Sequence, residues 1–204
     1  MGIGQAIATE VAAEGSNLIL LARSEENLKT IASQLQTRYP MSKFAYRSVD
    51  LQSYEAVESA VNESVKDFGH IDILINNAGL ALGAPAAFPD LKVSDIVTMN
   101  GTNINGLMFV TYAVLNSSMM ERKTGTILNV TSVTGLEVPP FPGEAVYHSN
   151  KAAQEAFTNA LRNELSGTNI RVLALRPGCV ATNFHSVRVG HDKGKYDLFF
   201  EGYT

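Results

Sequence analysis

An α/β fold built on a doubly wound parallel sheet, in a single domain spanning residues 1–204, is the architecture this sequence predicts. Three observations predict it. Short apolar, β-branched runs alternate with amphipathic stretches of helical period. The runs are close to continuously apolar, as strands covered on both faces are. They also end in hydroxyl, amide or small residues, and open α/β sheets bind their ligands beside the carboxyl ends of strands. The 204 residues make one domain's worth of chain, with no repeat, low-complexity tract or linker.

The elements follow in order. Ile3, Ile7 and Val11 recur at helical spacing, with Gly15 as terminator. Residues 17–22 read as a strand, 25–38 as an amphipathic helix, 44–49 as a strand and 53–68 as a helix. Residues 71–76 form a strand that runs into Asn77, Ala78 and Gly79. A long helical stretch, 93–121, precedes a strand over 125–132, and the helix 147–165 precedes the strand 170–175. Between Ser132 and Tyr147, the segment Pro139-Pro140-Phe141-Pro142-Gly143 continues neither a helix nor a central strand. It is expected to shape one wall of a cleft. Residues 187–204 are mixed and only weakly periodic.

The chemistry concentrates in Tyr147-His148-Ser149-Asn150-Lys151. Positions i and i+4 share one helix face, so the Tyr147 phenol and the Lys151 ammonium are expected to enter the same cleft. A neighbouring cation favours the phenolate and should pull the Tyr147 pKa below its ordinary value of about 10, making it an acid or base near neutrality. Ser132 lies just past a strand's carboxyl end, where its hydroxyl either meets a substrate oxygen or serves as a turn or cap serine. At the front, Gly2 and Gly4 flank Ile3, allowing close backbone approach of a pyrophosphate to a helix N-terminus. The strand 17–22 ends in Ala22, where an acidic residue would select NAD, and Arg23 follows, suited to the 2′-phosphate of NADP. Ser24 either adds a phosphate contact or caps the next helix.

Taken together, Asn76-Asn77-Ala78-Gly79, the strand ending at Ser132, Tyr147-x-x-x-Lys151 and Pro177-Gly178-x-x-x-Thr182 resemble the short-chain dehydrogenase/reductase family. The resemblance runs from Gly2 to about His185. It implies a Rossmann-type fold and hydride transfer between a nicotinamide and a carbonyl carbon, with Tyr147 as acid/base and Ser132 orienting the carbonyl. It implies that Lys151 lowers the Tyr147 pKa and holds the nicotinamide ribose, and that Asn103 holds a relay water; Asn100 and Asn105 nearby are read as helix-face polarity. Asp50 is expected at the adenine, Asn77, Ala78 and Gly79 at the adenosine ribose, and Pro177, Gly178, Val180 and Thr182 at the nicotinamide end. NADP (NADPH) is the expected cofactor. The family's phosphate loop, Thr-Gly-x-x-x-Gly-x-Gly, is represented only by Gly2 and Gly4. An incomplete sequence is therefore expected, lacking the first strand, leaving its neighbours with unpaired edges, and lacking the last strand as well.

Thr182-Asn183-Phe184-His185-Ser186-Val187-Arg188 and Ala81-Leu82-Gly83 resemble the branch of serine 3-dehydrogenases, or NADP-dependent 3-hydroxy acid dehydrogenases. The substrate this implies is a β-hydroxy acid such as L-serine or L-allo-threonine. Arg188 either binds its carboxylate or faces solvent on a lid formed by 183–204. The alternative is a non-catalytic or inactive truncated protein that at most binds nucleotide. The family also implies a homodimer or homotetramer built through the helices over 93–121 and 147–165.

Bulk properties narrow the classes further. A net charge of −4 supplies no field for polyanions, and no basic cluster or aromatic platform suggests nucleic acid. No apolar run approaches the roughly 20 residues of a membrane span, and the first residues do not read as a signal peptide. His70, His148, His185 and His191 lack ligand spacing, so no metal is expected. The single Cys179 fits a reducing compartment, and a cytoplasmic location is expected.

Overall fold

The computed structural model describes residues 2–139 and 142–201, without the side chains of Leu198 and Phe199. Five parallel strands fall into two sheets. β1 (Leu18–Ala22) pairs with β2 (Phe44–Ser48), while β3 (Ile73–Asn76), β4 (Thr124–Val130) and β5 (Asn169–Leu175) pair in that order. Each expected strand is present, most of them within a residue or two of the expected ends. β1 and β3 each keep one unpaired edge, and Ile73 is 55% exposed. β5 closes the other side with Leu173 and Leu175 half exposed.

The helices form where apolar period and end signals coincide. α1 (Ile3–Ala13) buries Ala8 and Ala12 against Leu35 of α2 (Glu25–Arg38), and Gly15 follows with φ 81°, a left-handed conformation that suits glycine. α3 (Tyr54–Phe68) starts at Ser53, whose hydroxyl accepts the Ala56 N–H at 3.3 Å. Its Val57, Ala60 and Val61 recur every three or four residues and join Ile127 and Val172 of the sheet in the main core.

The stretch expected as one helix over 93–121 is broken up. α4 (Val93–Asn100) passes into a π-helical turn, Gly101–Gly106, then α5 (Leu107–Val114), a second π turn, Leu115–Met119, and the short α6 (Met120–Arg122). A cause for the first π turn is visible: the Asn103 carbonyl accepts a 2.6 Å hydrogen bond from the Gln154 side chain of α7 (Ala145–Glu164). A side chain inserted into the backbone ladder is a standard origin of such bulges. No hydrophobic pattern reports that bond.

The weakly periodic tail folds into α8 (Asn183–Arg188) and α9 (Lys193–Phe200). The Phe184 ring packs 5.5 Å from that of Tyr147, and His185 stands 5.2 Å from Phe200. The Phe184 ring contact and the Arg188–Glu144 ion pair join this segment to the start of α7. Gly202–Thr204, and Pro140 and Phe141 of the expected cleft wall, lie outside the described residues. No described helix is long and apolar enough to cross a membrane, and no group of three potential metal ligands occurs among the described residues.

Candidate active site

β4 runs straight into Thr131 and Ser132, and the chain then turns through a 3₁₀ segment, Val133–Gly135. Ser132 is the cap of that turn, accepting from Thr134 N at 3.2 Å and Thr134 Oγ1 at 2.9 Å. It is also hydrogen-bonded to Tyr147. The structure shows the turn-cap reading of this serine, and the same hydroxyl faces the phenol.

Tyr147 and Lys151 are 8% and 4% exposed, one turn apart on α7. The Lys151 ammonium donates to Val130 O and to Gln154 Oε1, both at 3.0 Å, and lies 5.7 Å from the Tyr147 ring centroid. The lowered Tyr147 pKa expected from the sequence is not what this geometry gives. Burial pushes the phenol up to about 12, with the Ser132 hydrogen bond pulling weakly the other way. Burial also drops Lys151 to about 8, opposed by the charge of Glu155. Helical spacing brings the two side chains together but carries no information on desolvation, and the ammonium is turned towards oxygen acceptors other than the phenol.

Asn103 is fully buried and works as a hub. Its Oδ1 accepts from Leu80 N at 2.9 Å, and its Nδ2 donates to Leu80 O at 2.8 Å and Asn150 Oδ1 at 3.0 Å. Asn150 in turn donates to Asn100 Oδ1 at 2.7 Å, so Asn100 joins the network, whereas Asn105 is exposed. Asn103→Ala leaves the Leu80 N–H and C=O and the Asn150 carbonyl unsatisfied in the interior. Each orphaned group costs about 1–3 kcal/mol, so an overall loss of about 3 kcal/mol is expected in urea unfolding.

Three supporting residues escaped the sequence reading. Gln154 bridges Lys151 and the Asn103 carbonyl. Glu155 is buried, accepting Thr131 Oγ1 at 2.6 Å and a two-point contact from Arg176 at 2.9 and 2.7 Å. Although burial pushes the Glu155 carboxyl up, the bonds from Arg176 and Thr131 hold it below its ordinary value. Their positions, three and four after Lys151, were the available signal, since i+3 and i+4 share the lysine's face. Glu144, one turn before Tyr147, offered none.

The glycine end lies close by. No side chain caps α1 and no acidic residue occupies its first turn, so its free N–H groups present a positive end. Gly4 faces Asn77 so closely that a Cβ there would collide with the amide, and a Cβ on Gly2 would stand 4.0 Å from Thr182 Cβ. A Cβ on Gly79 would lie 3.3 Å from Asn103 Oδ1 and 3.6 Å from Lys151 Nζ. Ile3 begins α1 between the two glycines. Thr182 caps α8, accepting Phe184 N at 3.3 Å, and Pro177 O accepts Val133 N at 3.2 Å, tying the ends of β4 and β5 together. Gly178, Val180 and Ala78 are exposed beside them. At the ends of β1 and β2, Ser48 Oγ donates to Arg23 O at 3.0 Å, and Asp50 accepts from Gln52 N at 3.0 Å. Ser24 is the N-cap of α2 but makes no side-chain cap bond, which leaves its hydroxyl available beside the exposed Arg23. An uncapped helix N-terminus, a glycine cradle and a guanidinium with a free hydroxyl form a donor set suited to phosphates.

Arg188 is not a solvent-facing lid arginine. It is 3% exposed, ion-paired with the 5%-exposed Glu144, and its Cζ sits 6.0 Å from the Tyr147 ring centroid.

Comparison with known proteins places the chain in a family. Residues 1–192 match the family described as short chain dehydrogenase. The chain is 41% identical over 201 residues to an NADP-dependent 3-hydroxy acid dehydrogenase of Schizosaccharomyces pombe, covering 98% of this chain and 76% of that protein. It is 38% identical over 203 residues to sulfoacetaldehyde reductase 2 of Chromohalobacter salexigens, covering 100% and 78%. Among solved structures, the closed form of a serine dehydrogenase complexed with NADP+ superposes with a TM-score of 0.88 at 33% identity, covering 97% of this chain and 77% of that one. The chain belongs to the short-chain dehydrogenase family.

Proposed function

We propose that this chain is an NADP-dependent dehydrogenase acting at the hydroxyl-bearing carbon of a β-hydroxy acid such as L-serine or L-allo-threonine. The observation that carries the reading is the convergence of Ser132, Tyr147, Lys151 and the Asn103 hub in one buried cluster beside the glycine end of α1. A bound nicotinamide dinucleotide supplies the hydride acceptor for oxidation and the donor for reduction. The α1 N-terminus with Gly2, Ile3 and Gly4 holds the pyrophosphate, and Arg23 with Ser24 holds a 2′-phosphate. Asp50 meets the adenine, and Asn77, Ala78 and Gly79 flank its ribose. Pro177, Gly178, Val180 and Thr182 line the nicotinamide end, with Lys151 at that ribose. Ser132 orients the substrate oxygen against Tyr147, which gives its proton to the alkoxide in reduction and takes it back in oxidation. Asn103 fixes the helix that backs Lys151 and positions a relay water. Arg188 meets the substrate carboxylate. The test is NADPH formation from L-serine and L-allo-threonine with NADP+ against NAD+. Turnover preferring NADP+ supports the reading, and turnover of neither substrate overturns it.

The two directions respond differently to pH. With Tyr147 pushed up to about 12 by burial, the proton-donating phenol prevails at neutral pH, so reduction is expected to stay flat from pH 6 to 8. Oxidation needs the phenolate, whose fraction grows about tenfold per pH unit below the pKa. Its rate is expected to climb with that slope through the neutral range. Initial rates in both directions across pH 6–10 check this; an oxidation rate independent of pH between 6 and 8 contradicts it.

The active form is a homodimer or homotetramer packed through the helical stretch from α4 to α6 and through α7. Val93 (74% exposed), Val97, Tyr112 and Met120 leave apolar surface on that stretch. Sedimentation is expected to show a dimer or larger species, which Val97→Glu and Tyr112→Glu together shift towards monomer.

A further inference from the structure

Glu144 and Arg188 form a buried pair of opposite charges beside the catalytic tyrosine. Glu144 is the N-cap residue of α7, one turn ahead of Tyr147, and helps line a cavity of 290 Å³ with Phe88, Val138, Pro142 and His148. Arg188 ends α8 and reaches back over the Tyr147 ring. The two side chains are 5% and 3% exposed and pair with each other. An arginine whose task was only to attract a carboxylate would gain nothing from a buried carboxylate already beside it. An anionic substrate entering here places a second negative charge against Glu144 in a poorly solvated space, and an unpaired buried charge is costly.

We propose that the pair is a receptor for a zwitterion: Arg188 takes the carboxylate and Glu144 the α-ammonium of a β-hydroxy amino acid. This deepens the reading of the chain as a β-hydroxy acid dehydrogenase and rests on it. Inserting a zwitterion adds no net charge to the site and gives Arg188 and Glu144 each a new opposite partner. The two ends of the amino acid are then fixed beside the Tyr147 ring that Arg188 approaches, which sets the direction in which Cβ and its hydroxyl meet the phenol. Glu144 is thus a specificity-determining residue that separates β-hydroxy amino acids from β-hydroxy acids lacking nitrogen.

The test compares L-serine with 3-hydroxypropionate, which shares its carbon skeleton, hydroxyl and carboxylate but has no ammonium, using NADP+ and the full chain. The wild type is expected to favour L-serine in kcat/KM by about tenfold or more, since a site built around a buried polar group rejects the analogue that leaves it unpaired. Glu144→Gln is expected to raise KM for L-serine about tenfold while leaving or lowering that for 3-hydroxypropionate. Arg188→Gln raises both. Equal effects of Glu144→Gln on the two substrates, or a wild-type preference for 3-hydroxypropionate, overturn the proposal. Should Glu144→Gln not fold, thermal-shift titration of the NADP+-saturated wild type decides, with stabilisation by L-serine expected at lower concentration than by 3-hydroxypropionate. Turnover of neither compound, with reduction of uncharged ketones by NADPH intact, rejects the β-hydroxy acid reading itself. That result is distinct from oxidation of both compounds with no dependence on Glu144.

Discussion

Tyr147→Phe is expected to lower turnover by about 10³-fold while leaving the dissociation constant of NADPH within about twofold of the wild type. The substitution deletes one hydroxyl and keeps the ring. The Phe184 contact at 5.5 Å and the Arg188 guanidinium at 6.0 Å both address that ring, so the packing survives. What goes is the proton. Burial holds the phenol protonated up to about 12, so at neutral pH it is the group with a proton to give, and the Ser132 hydroxyl left behind has a far weaker acid character. Steady-state rates and a fluorescence titration with NADPH on the same preparation separate the two effects. A variant that turns over like the wild type shows that another group handles the proton. A variant that loses NADPH binding as well shows that Tyr147 holds the site's shape.

The second large effect lies at the other end of the site. Arg23→Asp is expected to move the NADPH/NADH affinity ratio towards NADH by about 10²-fold. Arg23 follows β1, with its backbone anchored by the Ser48 hydroxyl at 3.0 Å, so the exchange alters the side chain without freeing the loop. A guanidinium donates to the oxygens of a 2′-phosphate, whereas a carboxylate repels that phosphate and accepts a bond from the 2′-hydroxyl of NADH. Ser24 is expected to contribute a smaller share, since its hydroxyl is not used to cap α2. An unchanged ratio, measured by titrating both nucleotides, contradicts the placement of the phosphate at the end of β1.

The strands, and the placing of Tyr147 and Lys151 on one helix face, were legible because their signals are local. Apolar runs such as 170–175 mark strands, and the i, i+4 spacing of Tyr147 and Lys151 marks a shared face. What stayed hidden depends on groups brought together from distant positions. The π turn at Gly101–Gly106 forms where Gln154, 51 residues beyond Asn103, bonds the Asn103 carbonyl. The Tyr147 pKa went the wrong way in the sequence reading because spacing reports neighbours and says nothing of burial. Arg188 was assigned from its place after Thr182, but its partner, Glu144, is 44 positions earlier in a proline-rich approach to α7, and no periodicity joins the two.

Oxidation of L-serine carrying deuterium at Cβ tests the central claim most directly. With NADP+ and the wild-type chain, the product nucleotide is expected to carry one deuterium on the nicotinamide ring, with formation slowed relative to unlabelled L-serine and lost in Tyr147→Phe. NADPH formed without deuterium, or no NADPH at all from a chain that binds NADP+, would contradict hydride transfer from the hydroxyl-bearing carbon at this site.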